Sequence, residues 1–297
     1  MPGIASGGDV RGDESAFNLL RRTKNKKVQT TRLGLLDSLL EGYGGMQKGK
    51  VCEIFGPSSA GKTAMLMHVA INSVLPRELG GTAMTVTWVD CDGRLSMPRF
   101  AEMARARIAA QIASKRPNPP VDPDETLREA LGTRLRVYQP PSSRDLQSLL
   151  LRIDKEQTLS GGSGLQKQML VLDPINAFYW IDMMESEELR VFKQNCSLIA
   201  KLDMTILAAK SPLYTRQDKT IHREYLGDSW ARLVKYRVAL SSADDAPPRQ
   251  PHTREPPTGG AEASLSKPQL CAKLLLPATS TRVRQSLFKI CTAGLKY

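Results

Sequence analysis

Residues 56–63 of this 297-residue chain read Gly56-Pro57-Ser58-Ser59-Ala60-Gly61-Lys62-Thr63. The spacing G-x-x-x-x-G-K-T is that of a phosphate-binding loop, in which backbone N–H groups surround a phosphate. The apolar run 51–55 predicts a strand that enters the loop, and residues 64–75 predict a helix that leaves it, with its positive end on the phosphate. We therefore expect a nucleoside triphosphate site, with Lys62 on the β and γ phosphates and Thr63 on a magnesium ion.

Strand-like and helix-like segments alternate on both sides of this loop. Strands are predicted at 50–55, 83–89, 134–138, 169–172, 204–209 and 235–240, and helices at 35–40, 62–76, 97–114, 142–158, 186–202 and 226–233. Two later strand-like runs, 274–276 and 287–291, predict a hairpin that returns to the sheet edge. Alternation of this kind is typical of an α/β fold, with a mainly parallel sheet and helices on both faces.

The ends of the core differ from it in composition. Residues 1–28 are polar and Gly-rich and predict a flexible arm, which includes the basic run 21–27. That run is consistent with a nuclear-localisation signal, a DNA contact or a solvated tail. Residues 242–268 hold six prolines and the pair Gly259-Gly260, so we expect a disordered insertion there, with 269–297 returning to the core.

The charge and the cysteines restrict the class of protein. Forty-two Lys and Arg against thirty Asp and Glu give a formal charge of +12, which favours a polyanion such as nucleic acid, although a basic tail explains the same surplus. Five scattered cysteines without a C-x-x-C pair indicate a reducing compartment and argue against zinc. Without an apolar run of roughly 18 residues or a signal-peptide pattern, we expect a soluble protein inside the cell.

Acidic residues follow two of the predicted strands. The apolar run 170–172 ends at Asp173, a pattern that predicts a carboxylate beside the magnesium ion of a phosphate-loop protein. The strand at 83–89 is followed by Asp90 and Asp92. Two interpretations are open. Either one of these carboxylates orients the water that attacks the γ-phosphate, or both cap the helix that follows.

These features, in this order, resemble the ATPase core of RecA-type recombinases and especially of their eukaryotic paralogs in recombinational repair. The residues that carry the resemblance are Thr30 to Gly42, Glu53 to Pro57, Gly61 to Thr63, Val89 to Gly93, and Leu226 to Trp230 followed by Arg237. The resemblance implies a RecA-like ATPase core over residues 29–241 that binds ATP and Mg2+. Residues 56–63 would hold the nucleotide, Thr63 and Asp173 the metal, and Asp92 would take the catalytic position.

Two departures from the family pattern concern hydrolysis. Active members carry Glu at the position of Asp92, and a Gln at the end of the fifth strand, where this chain reads Ala208-Ala209-Lys210-Ser211-Pro212. The resemblance therefore implies nucleotide binding with weak or absent hydrolysis. The DNA-facing loops of the family correspond to 180–186, which has no Lys or Arg, and 211–225, which carries Arg216, Lys219, His222 and Arg223. The aromatic residues 178–180 either stack on bases or, as we favour, pack in the core or in a partner interface.

The resemblance implies a nuclear protein of double-strand break repair by homologous recombination. It would act as an ATP-binding subunit of a paralog complex that assists the recombinase filament. Its partners would be other paralogs, the recombinase, and single-stranded or branched DNA. An autonomous DNA-stimulated ATPase or strand exchanger is the alternative. A small-molecule phosphotransferase is a third hypothesis, but the sequence shows no Arg-rich lid for one.

Overall fold

The computed structural model describes the residues that form the α/β core. These residues are 31, 34–40, 46, 48–115, 121–159, 167–184, 188–212, 224–242, 269–276, 285–291 and 294–296. The predicted basic arm, 1–28, and the predicted insertion apart from its first residue lie outside them. In the described part of the chain, no helix combines the length and the apolar character of a membrane span.

The described residues form nine strands in a single sheet of order β3-β2-β4-β5-β1-β6-β7-β8-β9. The strands are β1 Val51–Phe55, β2 Thr85–Asp90, β3 Leu135–Tyr138, β4 Gln168–Asp173, β5 Thr205–Lys210, β6 Val234–Ser242, β7 Gln269–Leu276, β8 Gln285–Cys291 and β9 Gly294–Lys296. The first six strands in this order, from β3 across to β6, pair in parallel with their neighbours. The last three, β7, β8 and β9, extend the sheet beyond β6 by antiparallel pairing. The predicted fold class, including the antiparallel edge hairpin, is confirmed.

Eight helices lie around the sheet in the described part of the chain. They are α1 Gly34–Leu40, α2 Lys62–Val74, α3 Met97–Lys115, α4 Pro123–Arg134, α5 Ser143–Leu159, α6 Tyr179–Met184, α7 Glu188–Lys201 and α8 Asp228–Ala231, with a 3-10 turn at Arg77–Leu79. The sequence prediction omitted α4 and α6. The sequence of residues 117–123 predicts a Pro-rich loop that breaks the chain, and this conceals the start of α4. There Asp122 accepts a hydrogen bond from the backbone N of Asp124 at 3.0 Å, and Pro123 takes the first helical position.

Each face of the sheet is covered by its own hydrophobic core, because successive strand side chains point to opposite faces. Trp88 and Ile54 pack on the face covered by α2, α3 and α4. Val89 and Val51 pack on the other face, against α5 and α7. The central strands β1, β4 and β5 are therefore apolar at four positions each, as expected of a parallel sheet with two covered faces.

The parallel register brings the carboxyl ends of the central strands to one edge of the sheet. Asp90 of β2 pairs with Asp173 of β4, and Phe55 of β1 pairs with Lys210 of β5. The loops that follow β1, β2, β4 and β5 therefore leave the sheet side by side. Open α/β sheets bind their ligands in the crevice at this end of the strands.

Candidate nucleotide-binding site

The loop after β1 has the backbone geometry of an anion-binding turn. Gly56 donates its backbone N–H to the carbonyl O of Lys210 at 3.3 Å, and a Cβ at this position would lie 2.6 Å from the carbonyl O of Leu240. Gly61 has φ of 86°, a left-handed conformation that favours glycine, and it caps α2, which begins at Lys62. The positive end of α2 thus faces the space enclosed by the loop.

A cleft of about 210 Å³, partly open to solvent, lies over this loop. It is lined by Ser58, Ser59, Gly61, Lys62, Thr63, Ala64, Asp92, Arg94, Asp173, Pro174 and Ser211. Four side chains predicted from three separate stretches of sequence, Lys62, Thr63, Asp92 and Asp173, thus meet in one place. The predicted residues Gly56, Pro57 and Ala60 do not line the cleft, and Ala60 is buried beneath the loop.

The ammonium group of Lys62 lies against its own loop. Nζ donates hydrogen bonds to the carbonyl O atoms of Gly56 and Pro57, both at 2.8 Å. Burial lowers the pKa of Lys62, and the negative charge of Asp173 opposes that change. A phosphate in the cleft offers this ammonium an ionised acceptor, which gives a stronger hydrogen bond than the two neutral carbonyls.

Thr63 and Asp173 supply the oxygen atoms expected around a magnesium ion. The Thr63 side chain is hydrogen-bonded to Asp173. Burial raises the pKa of Asp173 to about 6, and the hydrogen bond from Thr63 counteracts part of that rise. A hydroxyl and a carboxylate are hard oxygen ligands that fit Mg2+. The described residues contain no group of three or more His, Cys, Asp or Glu that could hold a metal. A magnesium ion here would depend on phosphate oxygens and water for its remaining ligands.

The two carboxylates after β2 have different surroundings. Asp90 is buried and accepts hydrogen bonds from the backbone N of Arg94 at 3.0 Å and of Leu95 at 3.2 Å, so it fixes the loop. Asp92 lines the cleft and forms an ion pair with Arg94, whose Nε lies 3.0 Å from its Oδ2. The helix-capping interpretation of these residues is wrong, because the bonds of Asp90 end before α3, where Ser96 accepts from the backbone N of Arg99 at 3.3 Å.

Four residues that line the cleft were not assigned to it from the sequence: Ala64, Arg94, Pro174 and Ser211. Arg94 has only its position, two residues after Asp92, as a signal. Ser211 directly follows β5, and its backbone N–H donates to Oδ1 of Asn176 at 3.1 Å. The residue that lines the cleft after β5 thus carries a short hydroxyl side chain, where active family members are expected to place a Gln.

Lys210, the residue before Ser211, points away from the cleft into a buried network of four charges. Its Nζ lies 2.8 Å from Oε1 of Glu224 and 3.7 Å from Oε2 of Glu53. Arg237 donates to both carboxylates, at 2.5 Å to Glu53 and 2.8 Å to Glu224. Trp230 donates its indole N–H to Glu53 at 2.6 Å. The residues of the Trp230 and Arg237 motif therefore hold Glu53, on the strand that enters the phosphate-binding loop.

The two segments predicted to face DNA are only partly described. Residues 179–184 form α6, so the expected loop at 180–186 is wrong for most of its length. Phe178 is buried in the core, whereas Trp180 is 56% exposed and does not belong to the core. Tyr179 packs edge-on against Tyr225 with ring centroids 5.0 Å apart. The basic residues of the second segment, within 213–223, lie outside the described residues.

Comparison with known proteins finds one family model that matches part of the chain, and relatives that act in DNA repair and recombination. The Rad51 family model matches residues 21–116. The chain is 25% identical over 262 residues to DNA repair protein XRCC2 of Mus musculus, a match that covers 80% of this chain and 87% of that protein. It is 26% identical over 174 residues to the DNA repair and recombination protein RadA of Methanocorpusculum labreanum, covering 58% and 49%. It is 33% identical over 98 residues to RecA of Chlamydia abortus, covering 33% and 26%.

Proposed function

We propose that this chain, which contains a Rad51/RecA family domain, serves DNA recombination and repair as an ATP-binding subunit of a complex of recombinase paralogs. The observation that carries the proposal is the convergence of Lys62, Thr63 and Asp173 on one cleft at the positive end of α2. Residues 56–63 would bind the phosphates of ATP, and Thr63 and Asp173 would hold Mg2+. When bound, the ion neutralises phosphate charge.

The same cleft supports slow hydrolysis rather than fast turnover. Asp92 is one methylene shorter than the Glu expected in active members, and its carboxylate is already paired with Arg94. Ser211 is too short to replace the expected Gln. Because both groups that would position water are shortened, ATP acts mainly as a ligand that stabilises the folded, partner-competent state.

The sheet edge formed by β3 supports binding to another subunit. β3 has four residues, is the outermost strand among those that the structure describes, and pairs on one side with β2. Its Val137 side chain is 38% exposed. An edge strand with unpaired backbone groups accepts an added strand from a second protein. The proposed location in the nucleus and the proposed partners rest on the similarity to XRCC2.

Phosphate release separates this proposal from an autonomous DNA-stimulated ATPase. The purified chain is mixed with ATP and Mg2+, with and without single-stranded DNA, and the released phosphate is followed with time. We expect slow release that DNA changes little, and faster release after Asp92→Glu, which restores the reach of the carboxylate. Strong stimulation of the unmodified chain by DNA would overturn the proposal in favour of the autonomous enzyme.

Co-purification tests whether nucleotide organises the complex. Tagged wild-type protein, Lys62→Ala and the matched surface variant Lys48→Ala are recovered from the same nuclear extract, and bound recombinase paralogs are quantified. Among the residues that the structure describes, Lys48 pairs with Asp203 on the surface, so its variant controls for the loss of a lysine. We expect Lys62→Ala to lose most of the bound paralogs. An unchanged set of partners would show that nucleotide does not organise the assembly.

A further inference from the structure

Arg94 brings a second cation into the cleft over the phosphate-binding loop. It lies in the loop after β2 and lines the same cleft as Lys62. Its side chain is 73% exposed, so a ligand in the cleft can reach the guanidinium. Among the described residues that line the cleft, the charged side chains are two cations and two carboxylates: Lys62, Arg94, Asp92 and Asp173. An anionic ligand therefore meets a cation from each of two separate loops.

The backbone of Arg94 is held at the end of the sheet, whereas its side chain is only loosely held. The backbone N–H donates to Oδ1 of the buried Asp90 at 3.0 Å. Nε of the side chain lies 3.0 Å from Oδ2 of Asp92. An ion pair as exposed as this one contributes little to stability. The loop anchor does not involve the side chain, so Arg94 can be substituted while the loop keeps its place.

The guanidinium can bind a phosphate without giving up its place beside Asp92. A guanidinium carries five N–H donors in a planar fork, and Asp92 faces its Nε. The terminal NH2 groups can then donate in parallel to two oxygens of one phosphate, a geometry that lysine cannot offer. The carboxylate of Asp92 thus keeps the guanidinium at the cleft.

The surroundings of Lys62 indicate which phosphate Arg94 faces. The lysine of a phosphate-binding loop reaches the β and γ phosphates, and the metal ion bridges the same two groups. Burial lowers the pKa of Lys62, the negative charge of Asp173 opposes that change, and the positive charge of Arg94 lowers the pKa further. Arg94 therefore lies near the ammonium that marks the γ end of the phosphate chain.

We propose that Arg94 binds the γ-phosphate through a planar two-oxygen contact and makes the cleft prefer ATP to ADP. ADP keeps the contacts with the loop backbone and with Lys62 but lacks the phosphate that Arg94 binds. Asp92 acts as a positioning residue that holds the guanidinium beside this phosphate. The inference rests on the proposed ATP site and adds to it the residue that distinguishes the two nucleotides.

Calorimetric titration tests the preference directly. The full chain is titrated in the presence of Mg2+ with ADP and with the β,γ-imido analogue of ATP, which resists hydrolysis. We expect Arg94→Ala to weaken binding of the analogue about tenfold or more and binding of ADP by less than about threefold. Arg105→Ala is the matched control, because Arg105 is an exposed arginine that lies outside the cleft and pairs with Asp124 at 3.4 Å. It should bind both nucleotides as the wild type does.

Arg94→Lys separates the contact from the charge. Lysine keeps the positive charge but lacks the planar fork, so we expect the analogue to bind at least about threefold more weakly than to the wild type. Equal weakening of the two nucleotides in Arg94→Ala, or unchanged affinity for the analogue, overturns the inference and leaves the ATP site in place. Wild-type affinity in Arg94→Lys also overturns it, because a charge alone would then suffice. Wild-type protein that binds neither nucleotide overturns the proposed function as well.

Discussion

Glu53 is the residue on which the buried charges behind the phosphate-binding loop depend. It is fully buried and faces two cations, Lys210 and Arg237, whose other carboxylate partner is Glu224. Among the described residues the network contains two carboxylates and two cations, so removal of one of them leaves its buried partners less compensated. Together with the indole N–H of Trp230, these groups satisfy the carboxylate inside the protein.

Replacing Glu53 by Gln should strongly destabilise the protein. The variant leaves an uncompensated positive charge in a buried network, and breaking such a pair costs about 3–5 kcal/mol. The free energy of unfolding is measured by urea denaturation. Lys48→Ala is the matched control, because the pair Lys48–Asp203 is exposed and contributes about 0–1 kcal/mol. Equal, small losses in the two variants would contradict the assigned role of Glu53.

At this scale the sequence predicts local motifs well and long-range partners poorly. Residues 56–63 and Asp173 are recognisable because each follows a strand at a fixed spacing. The network partners of Glu53 lie 177 and 184 positions away, and only the fold brings them together. Arg94 was missed for a related reason. Its backbone is held by Asp90, and its side chain pairs with Asp92 in the loop after β2.

Among the helices, α4 shows where the sequence pattern was misread. Residues 117–123 read as a Pro-rich break, although Asp122 and Pro123 are a strong helix start. Gly132 in its last turns further weakens the helical signal. The short helix α6 is not predicted from the sequence. Its six residues are too few to show a helical periodicity, and they lie in the segment that corresponds to a DNA-facing loop of the family.

Gly132→Ala should stabilise the protein by about 0.5–1 kcal/mol, because alanine is the better helix former and no heavy atom lies within 4 Å of the added Cβ. Gly81→Ala is the opposite case, since its Cβ would lie 2.0 Å from the carbonyl O of Leu75. We expect that variant to lose about 1–3 kcal/mol. The midpoint of thermal unfolding is measured for the two variants and the wild type. A higher midpoint in Gly81→Ala would contradict the packing of the turn after α2.

The contact between α2 and α3 predicts a dependence of stability on pH. Burial, followed by the positive charges of Arg107 and Arg99 on α3, lowers the pKa of His68 to about 4. In the unfolded chain the imidazole has its ordinary pKa near 6.5, so between pH 6.5 and 4 the unfolded state binds more protons. The contribution of His68 therefore makes the folded state less stable as the pH falls through this window.

His68→Gln removes that contribution and should lose less stability between pH 7 and pH 5 than the wild type does. Urea denaturation at the two pH values gives the comparison. The titration midpoint of the His68 imidazole, followed by NMR, should lie near 4 in the folded wild type. If the variant and the wild type lose equal stability, His68 is not held neutral by its surroundings.

Across the whole molecule, alternation of strands and helices was sufficient to predict a mainly parallel sheet with two covered faces. The order of the strands was not predictable in this way, because it depends on crossovers that place β1 between β5 and β6. That central position puts the phosphate-binding loop beside the end of β5 and within reach of the loops after β2 and β4. The candidate site is thus a consequence of topology as much as of the loop itself.

The central claim is that the phosphate-binding loop and Asp173 share one magnesium–nucleotide site. Calorimetric titration of the purified chain with ATP, with and without Mg2+, tests it in the wild type, Lys62→Ala and Asp173→Asn. We expect Mg2+-dependent binding in the wild type, about tenfold or more weaker binding in Lys62→Ala, and loss of the Mg2+ dependence in Asp173→Asn. Absence of binding at saturating ATP and Mg2+, or an unchanged Mg2+ dependence in Asp173→Asn, would contradict the claim.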